Sequence, residues 1–232
     1  MLNLCSRIFP MVFPSHKEPL MSQTSSSVPQ YDSLDELLKA MQNMTNDLLA
    51  KTGTNMVISR GDPNAKLLIV GEAPGPQENI QGKPFVGKAG KLLDKILHAV
   101  NFDMDQDVFI TNSVFRMPPG QGGKAFRKPD SSEIEYYKPY LLEIIRLVDA
   151  PIVLLAGNVA CQAILGRTGI TRLRGKWLQI QGRWVMPIFH PSYLLRNPSR
   201  TPNSPKALMW KDIQEVRRKY DEVTRGTRSF IF

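Results

Sequence analysis

LLIVGEAPGPQENIQGKPFVGKAGKLLDKIL, residues 67–97, decides how the rest of the chain is read. An apolar run rich in β-branched residues breaks at Gly71, passes through a loop punctuated by Gly75, Gly82 and Gly87, and restarts as a helix. Ala89, Leu92, Leu93, Ile96, Leu97 and Val100 recur at the spacing of one helical face. The pattern is therefore strand, long glycine-rich loop, helix. In an α/β fold such a loop lies at the carboxyl edge of the sheet, where ligands usually bind. This one carries Glu72, Gln77, Glu78, Asn79 and Phe85.

The same alternation continues on both sides. Residues 66–70, 108–114, 152–157 and 184–189 read as buried strands, and helices fill the intervals. Ser33, with Glu36 three residues on, caps a helix expected over 33–49. Asp130, with Glu133, caps another that turns Ile134, Tyr137, Leu141, Ile144 and Val148 inward. Pro139 falls inside that second pattern and is expected to kink or split it. A short helix over 158–165 and a final one opening at Ser204-Pro205 complete the set. The expected fold is an α/β architecture around a mainly parallel sheet of four strands.

With 232 residues and 42% hydrophobic content, the chain can bury one full-sized core. The expected division is a disordered extension over 1–30, one domain over 31–223 and a tail over 224–232. The extension is poor in acids and contains Arg7 and Lys17, but it lacks an arginine-rich amphipathic pattern, so organellar import stays open. Met11 and Met21 each offer a later start. No apolar run approaches bilayer length, which points to a soluble, membrane-free protein. A net charge of +9 points to a polyanionic partner. Cys5 and Cys161, far apart, make a disulfide framework or a cysteine-ligated metal unexpected.

Three further segments carry chemistry. Asn112 stands near the carboxyl end of a strand, on the edge that carries the glycine loop if the sheet is parallel. Arg167, Arg172, Arg174 and Lys176 crowd one basic span. HPSYLLRNP, residues 190–198, places His190 at a strand end and sets an apolar knuckle beside Arg196. A knuckle flanked by a cation suits a wedge pressed into a base stack while the cation holds phosphate. His16 and His98 take no role. Neither GxxxxGK[ST] nor GxGxxG is present, so nucleotide binding by the glycine loop is set aside.

GEAPGPQENIQGKPFVGKAGKLLD, residues 71–94, paired with HPSYLLRNP, resembles the uracil-DNA glycosylase superfamily, most closely its family 4. The similarity runs from about residue 67 to 220. It implies a three-layer α/β/α sandwich and hydrolysis of the N-glycosidic bond of uracil flipped out of single- or double-stranded DNA, the opening step of base-excision repair, by a cytoplasmic, nucleoid-associated monomer. It further implies that Phe85 stacks on the base, that Asn112 reads its edge beside Gly71 and Ala73, and that His190 donates to a carbonyl as the base leaves. Leu194, Leu195 and Arg196 match the intercalating loop, with Ser192, Arg174 and Lys176 expected on the DNA side. Glu72, then Glu78, are the candidates for positioning water; Glu78 is otherwise expected to fill the space that would admit a thymine methyl.

Family 4 also implies an iron-sulfur cluster on four cysteines. This chain has KTGTNMVISRG in the first region and Arg116 and Tyr137 where the later two would fall. No cofactor is therefore expected. Tyr137 and its neighbours would replace the packing, and the basic loop from Lys124 to Lys128 would take over DNA contact. The rival expectations are a glycosylase for another deaminated base, hypoxanthine or xanthine, and a non-catalytic nucleic-acid-binding member of the fold.

Overall fold

The structure, a computed structural model, describes residues 30–120 and 126–228, with side chains described through residue 225. Of the expected extension over 1–30, residues 1–29 lie outside the described residues, as does Lys124 of the basic loop.

In chain order the elements are α1 (Leu34–Gln42), a 3₁₀ turn (Ala50–Thr52), β1 (Ser59–Gly61), β2 (Leu67–Gly71), α2 (Pro76–Gln81), α3 (Lys88–His98) and β3 (Val108–Asn112). They continue with α4 (Ser131–Val148), β4 (Ile152–Ala156), α5 (Asn158–Leu165), α6 (Ile170–Leu173), β5 (Leu178–Ile180), β6 (Arg183–Ile188), α7 (Pro191–Arg196) and α8 (Pro205–Arg228). The last helix thus continues past residue 223.

The sheet runs β1-β3-β2-β4-β6-β5. Its four central strands are parallel, as the apolar runs predict, and each of β2, β3 and β4 is buried along its whole length. The expected count of four is corrected to six among the described residues. β1 and β5 are three-residue strands, too short to show a period, and each exists by antiparallel pairing with a longer neighbour. β5 and β6 form a hairpin through Gln181-Gly182, both at positive φ, the conformation a tight two-residue turn needs.

Alternate residues of the central strands face opposite layers. Leu68, Val70, Val153 and Leu155 pack with α1, α4 and α5. Leu67, Ile69, Leu154, Met186 and Ile188 pack with α3, α7 and α8. The result is the expected sandwich. α1 is shorter than expected and stops at Gln42, with Asn43 as its cap. α4 runs unbroken through Pro139: an N-terminal capping box on Asp130 and Glu133, and a buried inner face, outweigh the one hydrogen bond proline removes.

Beside α4 lies a buried polar knot. Asp47 accepts from Nε of Arg116 at 2.8 Å and from the hydroxyl of Tyr137, and it also takes the N–H of Leu49 at 3.0 Å. The Arg116 guanidinium is completed by the carbonyls of Thr54 and of Met44, the latter at 2.7 Å. Asp47 thereby accepts from both Arg116 and Tyr137 inside the core.

Candidate active site

The parallel register brings the site together. Gly71 and Asn112 are paired residues at the ends of β2 and β3, and Ala156 pairs with Ile188 just before Gly157 and His190. All four strand ends therefore open on one edge. There, Glu72, Ala73, Glu78, Phe85, Asn112, His190, Ser192 and Arg196 line a cavity of about 620 Å³.

Gly71 makes the closest packing of this edge feasible. A Cβ there would stand 2.4 Å from both Oδ1 of Asn112 and the Phe85 ring. Asn112 is buried, and its Oδ1 is a buried acceptor with no hydrogen-bond partner among the described residues. Such an atom is uncommon in a folded interior and marks a group kept for something outside the chain.

Phe85 is held in a left-handed backbone conformation, φ 55°, that a bulky side chain seldom adopts. Three anchors enforce it. Arg60 on β1 donates to the carbonyl of Pro84 at 2.9 Å and to that of Phe85 at 3.3 Å, while its own charge meets Asp94 at 2.6 Å. Glu78 accepts the N–H groups of Gly75 (3.2 Å), Val86 (3.0 Å) and Gly87 (2.8 Å), tying both ends of the loop together. Gly90 on α3 lets the helix touch the loop, since a Cβ there would lie 1.8 Å from the Phe85 carbonyl. Nothing in the sequence points to Arg60, which sits on an edge strand that has no period.

His190 caps α7. Its Nδ1 accepts the N–H of Ser192 at 3.2 Å and meets the Ser192 hydroxyl at 2.8 Å. In the neutral ring the proton is therefore on Nε2. Burial, reinforced by the charges of Arg196 and Lys128, lowers its pKa to about 4. The ring centroid lies 5.7 Å from that of Phe85. Burial raises the pKa of Glu72, against the opposing pull of Lys128 and Arg196.

The wedge and the basic span divide. Leu194 is packed in the core, whereas Leu195 is 45% exposed beside exposed Arg196. Arg174 is not free at the surface: it pairs with buried Asp212, with Nε at 2.7 Å, and lies over the Phe189 ring. Lys176 is exposed but lies outside the cavity lining.

Over residues 58–214 the chain matches the model of the uracil DNA glycosylase superfamily. It is 34% identical over 177 residues to a type-4 uracil-DNA glycosylase of Archaeoglobus fulgidus, covering 72% of this chain and 85% of that one. It is 34% identical over 169 residues to a type-4 enzyme of Thermotoga maritima (71% and 82%), and 32% identical over 196 residues to one of Sulfurisphaera tokodaii (80% and 84%).

Proposed function

The chain belongs to the uracil DNA glycosylase superfamily, and on that premise we propose that it hydrolyses the bond between uracil and deoxyribose in DNA. The observation that carries the choice of base is the unpartnered Oδ1 of Asn112. It offers an acceptor to the ring N–H of uracil, a group cytosine lacks. A uracil extruded from the helix, at a cost of a few kcal/mol, would lie against Phe85 with its edge toward Asn112. As the C1′–N1 bond breaks, negative charge gathers on the base. The neutral His190 then donates Nε2–H to a uracil carbonyl oxygen without first having to lose a proton. A donor placed where charge develops lowers a barrier by roughly 3 kcal/mol.

Glu72 is the residue we assign to the sugar side, where a carboxylate can orient the water whose oxygen bonds to C1′ and stabilise the cationic sugar. Glu78 is the weaker candidate, because both of its oxygens already hold the loop. Leu195 is the better-placed wedge, and Arg196 and Ser192 the better-placed phosphate contacts. Arg174 supports the Phe189 end of β6 through Asp212.

The iron-sulfur cluster implied by the resemblance does not fit these residues. The whole chain has two cysteines, Cys161 is buried with its thiol pushed up to about 12, and Arg116 and Tyr137 are joined through Asp47. We assign no step to a cluster. Among the described residues no helix is long and apolar enough to cross a membrane. We place the enzyme, as a monomer, on DNA in the cytoplasm.

Oligonucleotides carrying uracil, hypoxanthine, xanthine or thymine opposite guanine test the proposal on one gel. Strand scission at uracil after alkali is expected. Scission at hypoxanthine or xanthine without uracil would favour the rival base, and tight binding without any scission the non-catalytic rival.

A further inference from the structure

Phe126 is 57% exposed, yet its backbone is paired. It forms an isolated antiparallel bridge with Pro119, and the N–H of Arg127 donates to the Pro118 carbonyl at 3.0 Å. Arg127 then forks onto both oxygens of Glu133 at 2.7 and 2.8 Å. The ring therefore stands on a hydrogen-bonded foot in the lining of the cavity that holds Glu72, Asn112 and His190. Exposed Lys128 follows, near enough to act on the charge of both Glu72 and His190.

A single apolar side chain in water ordinarily needs no explanation. An exposed aromatic side chain in a cavity wall, on a hydrogen-bonded backbone and with a cation nearby, has the make-up of a site for unpaired nucleic acid: the ring stacks on a base and the cation meets the backbone. Leu195, on α7, is aliphatic and suits the gap left inside a duplex. Phe126 lies on a different segment and has no such gap to fill.

We propose that Phe126 stacks on the nucleobase next to the extruded uracil when the substrate strand is unpaired, with Lys128 meeting the adjoining phosphate. In a duplex the neighbouring bases stay paired and stacked, so no free base face meets the ring. In a single strand that face is free. Phe126 is thus a specificity residue for single-stranded substrate, an inference that rests on the glycosylase assignment and extends it.

Uracil release from single-stranded and fully paired oligonucleotides by wild type, Phe126→Ala, Phe126→Leu and Phe126→Trp is the test, with 2-aminopurine beside the uracil as a direct report of stacking. Phe126→Ala and Phe126→Leu should raise KM on the single strand about tenfold, the lower range of a lost base-aromatic stack. Phe126→Trp should keep it, and kcat and the duplex KM should stay within about twofold in all three. Wild type and Phe126→Trp should quench 2-aminopurine, and Phe126→Ala should not. An unchanged single-strand KM in Phe126→Ala, an equal rise on both substrates, or full retention by Phe126→Leu would overturn the proposal. Failure of wild type to release uracil at all would sink the glycosylase assignment, and the 2-aminopurine signal would still decide the stacking.

Discussion

Ser192 donates its backbone N–H to Nδ1 of His190 across 3.2 Å, and this contact fixes which nitrogen of the ring carries the proton. With Nδ1 accepting from Ser192, the neutral ring keeps its donor on Nε2, the group proposed to meet the departing base. His190→Ala should therefore lower kcat by about two orders of magnitude or more, as loss of a donor at a developing anion does, while DNA affinity stays near wild type. Single-turnover uracil release together with fluorescence anisotropy checks both halves. Unchanged turnover would remove the assigned role.

Burial of the same ring links folding to pH. The imidazole sits at about 4 in the folded protein and near 6.5 in an unfolded chain, so between those values the unfolded state binds more protons. Stability from this group is complete above about pH 6.5, declines as pH falls and levels off below about 4, a total of about 3 kcal/mol. Urea unfolding at pH 7 and pH 4.5 should show wild type losing more stability than His190→Ala over that interval. Equal losses would mean that the ring is not held neutral.

Glu72 and Glu78, both carboxylates on the glycine loop, should separate experimentally. Glu72→Gln should reduce kcat about a hundredfold with little change in Tm, because among the described residues no loop hydrogen bond depends on its side chain. Its carboxyl is raised by burial, so its ionised form is lost as pH falls toward a value above the usual 4.5, and the acid limb of kcat should vanish in the variant. Glu78→Ala should lose about 2 kcal/mol or more of stability as three loop N–H groups lose their acceptor. A stable Glu78→Ala with collapsed kcat would exchange the two roles.

Asn112→Asp places a carboxylate where a buried, unpaired amide oxygen now lies, on a residue that lines the cavity. The carboxylate can still accept the ring N–H, but it no longer donates as the amide nitrogen does, and its charge opposes the negative charge developing on the base, so kcat/KM for uracil should fall by about 10³-fold or more. In acid, when the new carboxyl is protonated, the variant gains a donor that cytosine's ring nitrogen can use. Release measured from uracil-guanine and cytosine-guanine duplexes checks this, and wild-type selectivity in the variant would contradict the assignment.

What the sequence disclosed, and what it hid, follows from the physics of each element. β2, β3 and β4 are buried on both faces and so carry long apolar runs. β1 and β5 have only three residues each and take their form from a partner strand, with the Gln181-Gly182 pair the one local hint of a hairpin. Phe85, Asn112 and His190 were legible because each ends a strand or lies on the loop after one, and the parallel register converges them. Arg60 was not, because it acts through backbone carbonyls 24 and 25 residues away. Leu194 and Leu195 are indistinguishable in the sequence, and only the turn of α7 decides which of them is buried. Arg174, part of a basic run, gives no sign in sequence of the Asp212 that claims it.

The knot of Asp47, Arg116 and Tyr137 joins α4 to the 44–54 segment and bears on the proposal that no iron-sulfur cluster is held there. Asp47 is 5% exposed, and removing one partner strands a charge in the core. Arg116→Ala should cost about 3–5 kcal/mol, whereas Tyr137→Phe, which removes one hydrogen bond and keeps the ring packed edge-on against Phe115, should cost about 1–3 kcal/mol. The Asp47→Ala/Arg116→Ala double variant should be destabilised by less than the sum of the two single changes, because each single change leaves an unpaired charge that the double removes. Urea titration of the four proteins measures the coupling. The purified wild type should show no visible absorbance, and chelator should leave its Tm unchanged. A brown preparation that bleaches and melts earlier with chelator would mean that a cluster, not this ion pair, secures α4 against the 44–54 segment.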